Sequence, residues 1–268
     1  MSFNVRVFDL YLWSKEKETR NKIFDFLKRE DPDVLCLQEF YHRDQQNPSY
    51  EFKTLDTLVK FLSAKNYHFF KTTTLRENDH WGIITFSKYP ILKKSWIDFP
   101  ESTDNGCIYT DLLFGGDTIR IYNGHLASIK LDKHDYKAIK KINKNKYSSN
   151  FGKERLIFNK LKHSFIRRAP QVDAVGKSIA SSPYPTIFCG DLNDTPSSYA
   201  YNKVKGKLND AFIQSGSGLG QTYIGDFPSF RIDYIFYDQH FLSADYTTHP
   251  EKLSDHHPVS AKLYFKKE

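Results

Sequence analysis

The sharpest constraint in this sequence is the stretch Thr186-Ile187-Phe188-Cys189-Gly190-Asp191-Leu192-Asn193-Asp194. An apolar run of strand length stops at Gly190. Asp191 and Asn193 then follow two residues apart, which puts them on one side of an extended backbone. A carboxylate accepts hydrogen bonds or binds a hard cation, and a carboxamide both accepts and donates. The pair therefore suits a metal, a water and a phosphate oxygen held together. The same residues are also ordinary turn chemistry, an Asx turn closing a strand, and the stretch alone does not separate these readings.

The chain around it alternates helix and strand patterns. Residues 2–8 alternate as a strand does, interrupted by Asn4, and this strand starts so close to residue 1 that a longer parent chain is expected. Residues 15–29 read as a helix with Ser14 as N-cap and Ile23 and Leu27 facing inward, ended by Pro32. Residues 34–37 form a short buried strand that delivers Gln38 and Glu39 at its end, where a carboxylate needs a partner. Phe52, Leu55, Leu58, Val59 and Leu62 recur at helical spacing over 51–64, and strands are expected at 67–72 and 82–87. This alternation indicates an α/β arrangement. Residues 108–114 and 118–123 flank Gly115-Gly116-Asp117 as a hairpin, so the sheet is mixed. The second hairpin strand runs into Asn123-Gly124-His125-Leu126 and presents His125. Further on, a short helix begins at 196–199, residues 222–227 read as loop or edge strand, and 231–237 is a strand carrying Asp233 among apolar neighbours. Asp255 and His256 precede the closing strand 259–265.

Composition limits the alternatives. At 268 residues, with 39% hydrophobic and 16% aromatic residues, the chain can bury a substantial core, and one domain spanning 1–268 is expected. The three cysteines fit neither a disulfide framework nor a zinc pattern and read as buried thiols. No apolar stretch is long enough to span a membrane. Localisation is expected to be cytoplasmic if the chain is complete, and membrane-anchored or exported if an N-terminal segment has been removed.

The net charge of +7 is unevenly placed. Residues 130–168 hold 13 Lys and Arg against Asp132, Asp135 and Glu154, a net +10, which leaves −3 elsewhere. This basic helical insertion shows one helix around Tyr136, Ile139 and Ile142, a break at 148–152, and a second helix on Phe158, Leu161 and Phe165. A third begins at Pro170 and carries Val172, Val175 and Ile179. Such a face is either simply solvated or built for a polyanion.

Polar residues able to do acid, base or metal chemistry recur at strand ends: Asn4, Glu39, His125, Asp191 with Asn193, Asp233, and Asp255 with His256. Strands ending on one edge bring such tips together. With Ser-Phe-Asn at 2–4, Leu-Gln-Glu at 37–39, Phe-Ser-Lys-Tyr-Pro at 86–90 and Asn-Gly-His-Leu at 123–126, the chain resembles the endonuclease/exonuclease/phosphatase superfamily. Gly-Asp-Leu-Asn at 190–193, Arg-Ile-Asp-Tyr-Ile-Phe at 231–236 and Ser-Asp-His-His-Pro at 254–258 complete the pattern, in that family's order.

The resemblance implies a four-layer α/β/β/α sandwich of two mixed sheets flanked by helices, and hydrolysis of a phosphate ester that depends on Mg²⁺ or Mn²⁺. It assigns Glu39, with Asn4 and Asp255, to the metal. Asp191 and Asn193 are assigned to the water and the phosphate, Asp233 and His256 to a catalytic pair, and His125 to a second histidine. His256 and Asp191 are rival bases. The expected activity is nuclease-like cleavage of a phosphodiester by a monomer. The basic insertion would meet DNA, RNA or an anionic membrane surface. A neutral sphingomyelinase-like phospholipid phosphodiesterase stays open, and an inositol phosphatase is disfavoured because Cys189 precedes Gly190 and Arg231 precedes Asp233. An inactive relative that only binds nucleic acid is the alternative of another class.

Overall fold

In the computed structural model, residues 1–44, 52–100, 104–129, 151–225 and 230–266 are described. The first sheet has the strand order β11-β12-β1-β2-β4-β3. It is formed by β1 (Ser2–Asn4), β2 (Val34–Arg43), β3 (Asn66–Leu75), β4 (Asp79–Ser87), β11 (Phe241–Thr248) and β12 (Val259–Phe265). The second has the order β5-β6-β7-β8-β10-β9. It uses β5 (Ile91–Trp96), β6 (Gly106–Phe114), β7 (Asp117–His125), β8 (Thr186–Asp191), β9 (Asn209–Asp210) and β10 (Asp233–Tyr237). In each sheet one central pair is parallel, β1 with β2 and β7 with β8, and its other pairs are antiparallel.

Three apolar clusters define the layers. Phe3, Leu35, Leu37, Ile84 and Phe86 of the first sheet pack on Ile23, Phe26 and Leu27 of α1 (Thr19–Glu30) and Leu58 of α2 (Thr54–Phe61). Tyr122, Phe188, Tyr234 and Phe236 of the second sheet pack on Val172 and Val175 of α3 (Phe151–Ala180) and on Ala200, Tyr201 and Val204 of α4 (Tyr199–Lys205). Between the sheets lie Cys36, Leu112, Ile121, Cys189, Ile235 and Val259, with α5 (Ala211–Ser215) contributing Ala211. Alternate residues of each strand thus serve opposite layers, as a period of two requires. All three cysteines are buried thiols.

Polar bonds also cross between the sheets. Asn123 of β7 donates through Nδ2 to Ile84 O at 2.9 Å, and its Oδ1 accepts from Gln38 Nε2 at 2.8 Å. His68 Nδ1 and Thr110 Oγ1 lie 2.9 Å apart. Such bonds, made away from water, fix one sheet against the other.

Several local expectations change. The first helix starts at Thr19, and Ser14 does not cap it. Its backbone N–H and its hydroxyl both donate to the Asp9 carboxylate, closing the preceding loop. The helices expected around Phe158 and from Pro170 are one continuous helix, α3. An interior proline costs roughly 3 kcal/mol, and the buried residues on both sides of Pro170, Arg168, Gln171, Val172 and Val175, offset it. Phe158 and Phe165 lie on its exposed side. The helix expected on Tyr136, Ile139 and Ile142 lies outside the described residues. Strands β5, β9 and β11 escaped the sequence reading.

Candidate active site

Register does most of the assembly. Strands β7, β8 and β10 are neighbours, and pairing sets His125 opposite Asp191 and Asp191 opposite Asp233. One row across the second sheet thus carries an imidazole and two carboxylates. Just before it, Gly124 pairs with Gly190, and a Cβ on Gly190 would meet Gly124 O at 2.2 Å. That close approach of two backbones admits no side chain.

In the first sheet Asn4 pairs with Gln38, and Glu39 follows in a register shift between Leu37 and Phe40 with φ of 49°. Glu39 therefore sits at a bulge inside a strand that continues to Arg43, not at a strand tip as expected. A bulge re-aims its side chain, and no residue type announces one. After Asn4 the backbone turns left-handed through Arg6, Val7, Phe8 and Asp9, with φ between 43° and 57°. Such a conformation costs roughly 1–2 kcal/mol per residue. Burial of Val7 and Phe8 offsets it. Because β1 pairs with β12 at Ser2 and Val259, the segment holding Asp255 and His256 lies alongside this turn, and Arg6 Nη1 reaches Asp255 Oδ2 at 3.2 Å.

The cluster centres on Asp191, which is fully buried. Its Oδ1 accepts from Asn193 N at 2.7 Å, and its Oδ2 accepts from Asn4 Nδ2 at 3.1 Å and Asn193 Nδ2 at 3.3 Å. Asn4 Nδ2 also donates to Glu39 Oε1 at 3.1 Å, which links the sheets through the site. Asn193 Nδ2 donates to Leu126 O at 2.9 Å and so ties the end of β8 to the end of β7. His256 sets Nδ1 2.9 Å from Asp233 Oδ2 and Nε2 3.8 Å from Asp191 Oδ2. His125 Nε2 lies 3.7 Å from Glu39 Oε1 and 3.8 Å from Asp191 Oδ2. The buried atoms His125 Nε2 and Asp233 Oδ1 have no hydrogen-bond partner. Every residue singled out in the sequence therefore lies in this cluster or, like Asp255, on its rim.

Electrostatics separate the members. Burial pushes Asp191 up to about 6, helped by the charge of Asp233 and opposed by His256 and His125. Burial also raises Glu39 above its ordinary range, against the hydrogen bond from Asn4 and with help from Asp255. For His256 burial opposes the charge, but Asp233 and Asp191 outweigh it and hold the imidazolium well above its usual range. Burial lowers His125, with Asp191 pulling the other way.

These residues fit a hard divalent ion. Glu39 and Asp255 repel each other at the rim, and Glu39 keeps 34% of its side-chain surface open. Carboxylate oxygens with room for water are what such an ion takes. Asp191, Asp233 and His256 also hold ligand atoms within 4.8 Å of one another, although His256 Nδ1 is already engaged by Asp233.

Sequence reasoning missed what holds the cluster. Arg168, counted there with the basic surface, is 1% exposed. Its Nε donates to Ala127 O at 2.8 Å, Nη2 to Ser164 Oγ at 3.0 Å, and Nη1 to Asp194 Oδ2. Gln171 Oε1 accepts from Ala127 N at 2.9 Å. Helix α3 thereby clamps the segments after His125 and after Asn193. Only the position of Arg168 four residues before Val172 hinted at burial. Thr222 Oγ1 accepts from Ile232 N and Asp233 N at 3.0 and 3.1 Å, and Tyr223 sets its ring edge-on to His256 at 5.3 Å.

A cavity of about 630 Å³ lies elsewhere, at the starts of the same strands near Val34, Ile121 and Ile187. It takes in no member of the cluster.

Comparison with known proteins agrees with this architecture. A structure from Beutenbergia cavernae, described as an endonuclease/exonuclease/phosphatase, superposes with a TM-score of 0.67 at 16% identity, covering 98% of this chain and 70% of that one. A humanized D. rerio TDP2 gives 0.63 at 19% identity, covering 98% and 97%. The Bacteroides thetaiotaomicron mannosyl-6-phosphatase Bt3783 gives 0.60 at 17%, covering 98% of each chain. At these identities the likeness is one of fold. No curated protein matches the sequence. The model of the Endonuclease/Exonuclease/phosphatase family matches residues 1–256, and the chain belongs to that family.

Proposed function

We propose that the chain is a divalent-metal-dependent phosphodiesterase of nuclease-like activity, working as one catalytic domain over residues 1–268. The observation that carries this reading is the convergence on Asp191 of Asn4 at 3.1 Å and of His125 and His256 at 3.8 Å, with Asp233 behind His256 at 2.9 Å. The family's members hydrolyse phosphate esters, which sets the class of reaction.

In this reading Glu39, with Asn4 and Asp255, holds Mg²⁺ or Mn²⁺. When bound there, such an ion supplies neutralisation of charge on the phosphoryl oxygens. Asp191, its carboxylate fixed by three N–H groups, orients the attacking water. Asp233 holds Nδ1 of His256, which leaves Nε2 to exchange a proton with a reacting oxygen. His125 turns its unpartnered Nε2 toward the same space and donates to a phosphate oxygen. Arg155 and Lys162 are exposed on α3 and favour an extended polyanion over a small neutral ester.

The test is a substrate panel of single-stranded and duplex DNA, RNA, inositol phosphates and sphingomyelin, assayed with Mg²⁺ and with chelator. Chelator-sensitive cleavage of a nucleic acid is expected. Turnover of sphingomyelin or an inositol phosphate alone would move the activity to another branch, and an inert panel would leave no phosphodiesterase.

A further inference from the structure

The left-handed turn that follows Asn4 carries more than the cluster needs. Beyond Asp9 it leads to Tyr11, Leu12 and Trp13, which are 57%, 54% and 43% exposed. Large apolar side chains grouped this openly on a soluble surface mark a contact site more often than chance exposure. Nor is this a loose loop. Leu12 N donates to Asp9 O at 2.8 Å, Lys15 N to Leu12 O at 3.0 Å, and Ser14 N to Asp9 Oδ1 at 3.2 Å. Phe8, fully buried against Phe24 and Phe40, anchors its base. The aromatics are held out on a fixed support.

Arg6 joins this support to the cluster. Its guanidinium lies 3.9 Å from the Trp13 ring centroid, a cation–π contact, while Nη1 reaches Asp255 at 3.2 Å. Tyr11 and Trp13 stand with ring centroids 5.4 Å apart and planes tilted by 34°. Moving outward from Glu39 one therefore meets Asp255, then a guanidinium, then two aromatic rings. The guanidinium, a cation suited to a phosphate, covers one face of the Trp13 ring, and the surface that Trp13 and Tyr11 leave open, 43% and 57%, suits a flat ring. A nucleotide presents those two groups, phosphate and base, joined through one sugar.

We propose that Trp13 and Tyr11, with Arg6 between them and the cluster, form a stacking shelf for an unpaired nucleobase next to the scissile phosphate, so that the substrate is a single-stranded nucleic acid. The assignment rests on the phosphodiesterase reading above and narrows it. Aromatic faces accept any base, so the shelf selects strandedness and the presence of a base, not sequence. Within a duplex the bases are stacked on one another and their faces are not offered to the shelf.

The test compares kcat/KM, with Mg²⁺, for a single-stranded oligodeoxynucleotide and for a strand of equal length carrying abasic sites. Wild type should prefer the base-bearing strand by about 10-fold or more, the span of one stacking contact. Trp13→Ala should abolish that preference through KM with kcat held within about twofold, and Trp13→Phe should restore most of it. An intact preference in Trp13→Ala, or none in wild type, would overturn the shelf. Tyr11→Ala serves as the second variant if Trp13→Ala fails to fold.

Binding of the same labelled strands, followed by fluorescence anisotropy in chelator, separates this proposal from the one beneath it. Base-dependent binding lost in Trp13→Ala, without cleavage by wild type, keeps the shelf and removes the phosphodiesterase. No base-dependent binding removes the shelf. Quenching of tryptophan emission by brominated phosphatidylcholine vesicles in wild type but not in Trp13→Phe would give this face to lipid and also overturn it.

Discussion

The two sides of the candidate site are built differently. Around Asp233 and His256 the groups are almost wholly buried and held by neighbours, Asp233 Oδ2 by His256 and Asp191 by three N–H donors, while Asp233 Oδ1 and His125 Nε2 stay without a partner. Around Glu39 and Asp255 the side chains keep 34% and 18% of their surface open, and two carboxylates face each other with Arg6 as their nearby cation. Consecutive residues, Asp255 and His256, serve the two sides. A paired, dry arrangement handles protons without reorganising. An open one with excess negative charge leaves room for an ion that keeps part of its water. In the proposed function the contrast divides the labour of the site, protons on one side and the ion on the other.

The strongest way to break this contrast is to cut each side and vary the metal. His256→Ala should lower kcat by about 10²–10⁴, and added Mg²⁺ should restore nothing. Glu39→Gln should instead raise the Mg²⁺ needed for half-maximal activity by about 10–100-fold or more, with kcat recovering at high concentration. Identical Mg²⁺ titrations for the two variants would erase the distinction.

Next in size is the clamp on the paired side. Arg168→Met leaves Asp194 with the Thr195 N–H but without its cation and should destabilise the fold by about 3–5 kcal/mol in urea unfolding. Glu39→Gln, which removes one of two repelling charges, should leave the urea midpoint unchanged or higher. A mild Arg168 variant would mean that the paired side does not depend on α3.

The smallest effect concerns the contact surface of the sheets, on which both sides rely. Burial, aided by the charge of Lys94, lowers His68 from its ordinary 6.5 to about 4. The unfolded chain takes up a proton below about 6.5, while the folded chain refuses it until about 4. Stability is thus full above 6.5 and falls by about 3 kcal/mol as pH drops toward 4. His68→Gln, which keeps a partner for Thr110, should flatten that fall by about 2 kcal/mol between pH 7 and pH 5. An unchanged slope would place the acid sensitivity elsewhere.

What the sequence disclosed follows from how local each signal is. Asp191 and Asn193 were readable because an apolar run and a glycine frame them. Asp255 and His256 were readable because they stand in a polar turn before the closing strand. The bulge at Glu39 was not, since it arises from pairing with β4 and leaves no mark in residue type. Ser14 looked like a helix cap, yet the carboxylate of Asp9 claimed it first. Arg168 looked like surface charge because composition cannot register that Asp194 and Ala127 wait for it across 26 and 41 residues. Pro170 looked like a helix start because it often is one, and tertiary packing overrode that preference.

The glycine pair at 124 and 190 bears on how this chain can change length. Side chains alternate faces along a strand, so deleting a single residue from β8 ahead of Asp191 would swing that carboxylate to the far face and leave His125 opposite a different residue. Insertions outside the strands leave that alternation untouched. The paired glycines should therefore mark a boundary that neither insertion nor loss within β7 or β8 can cross without breaking the row of His125, Asp191 and Asp233.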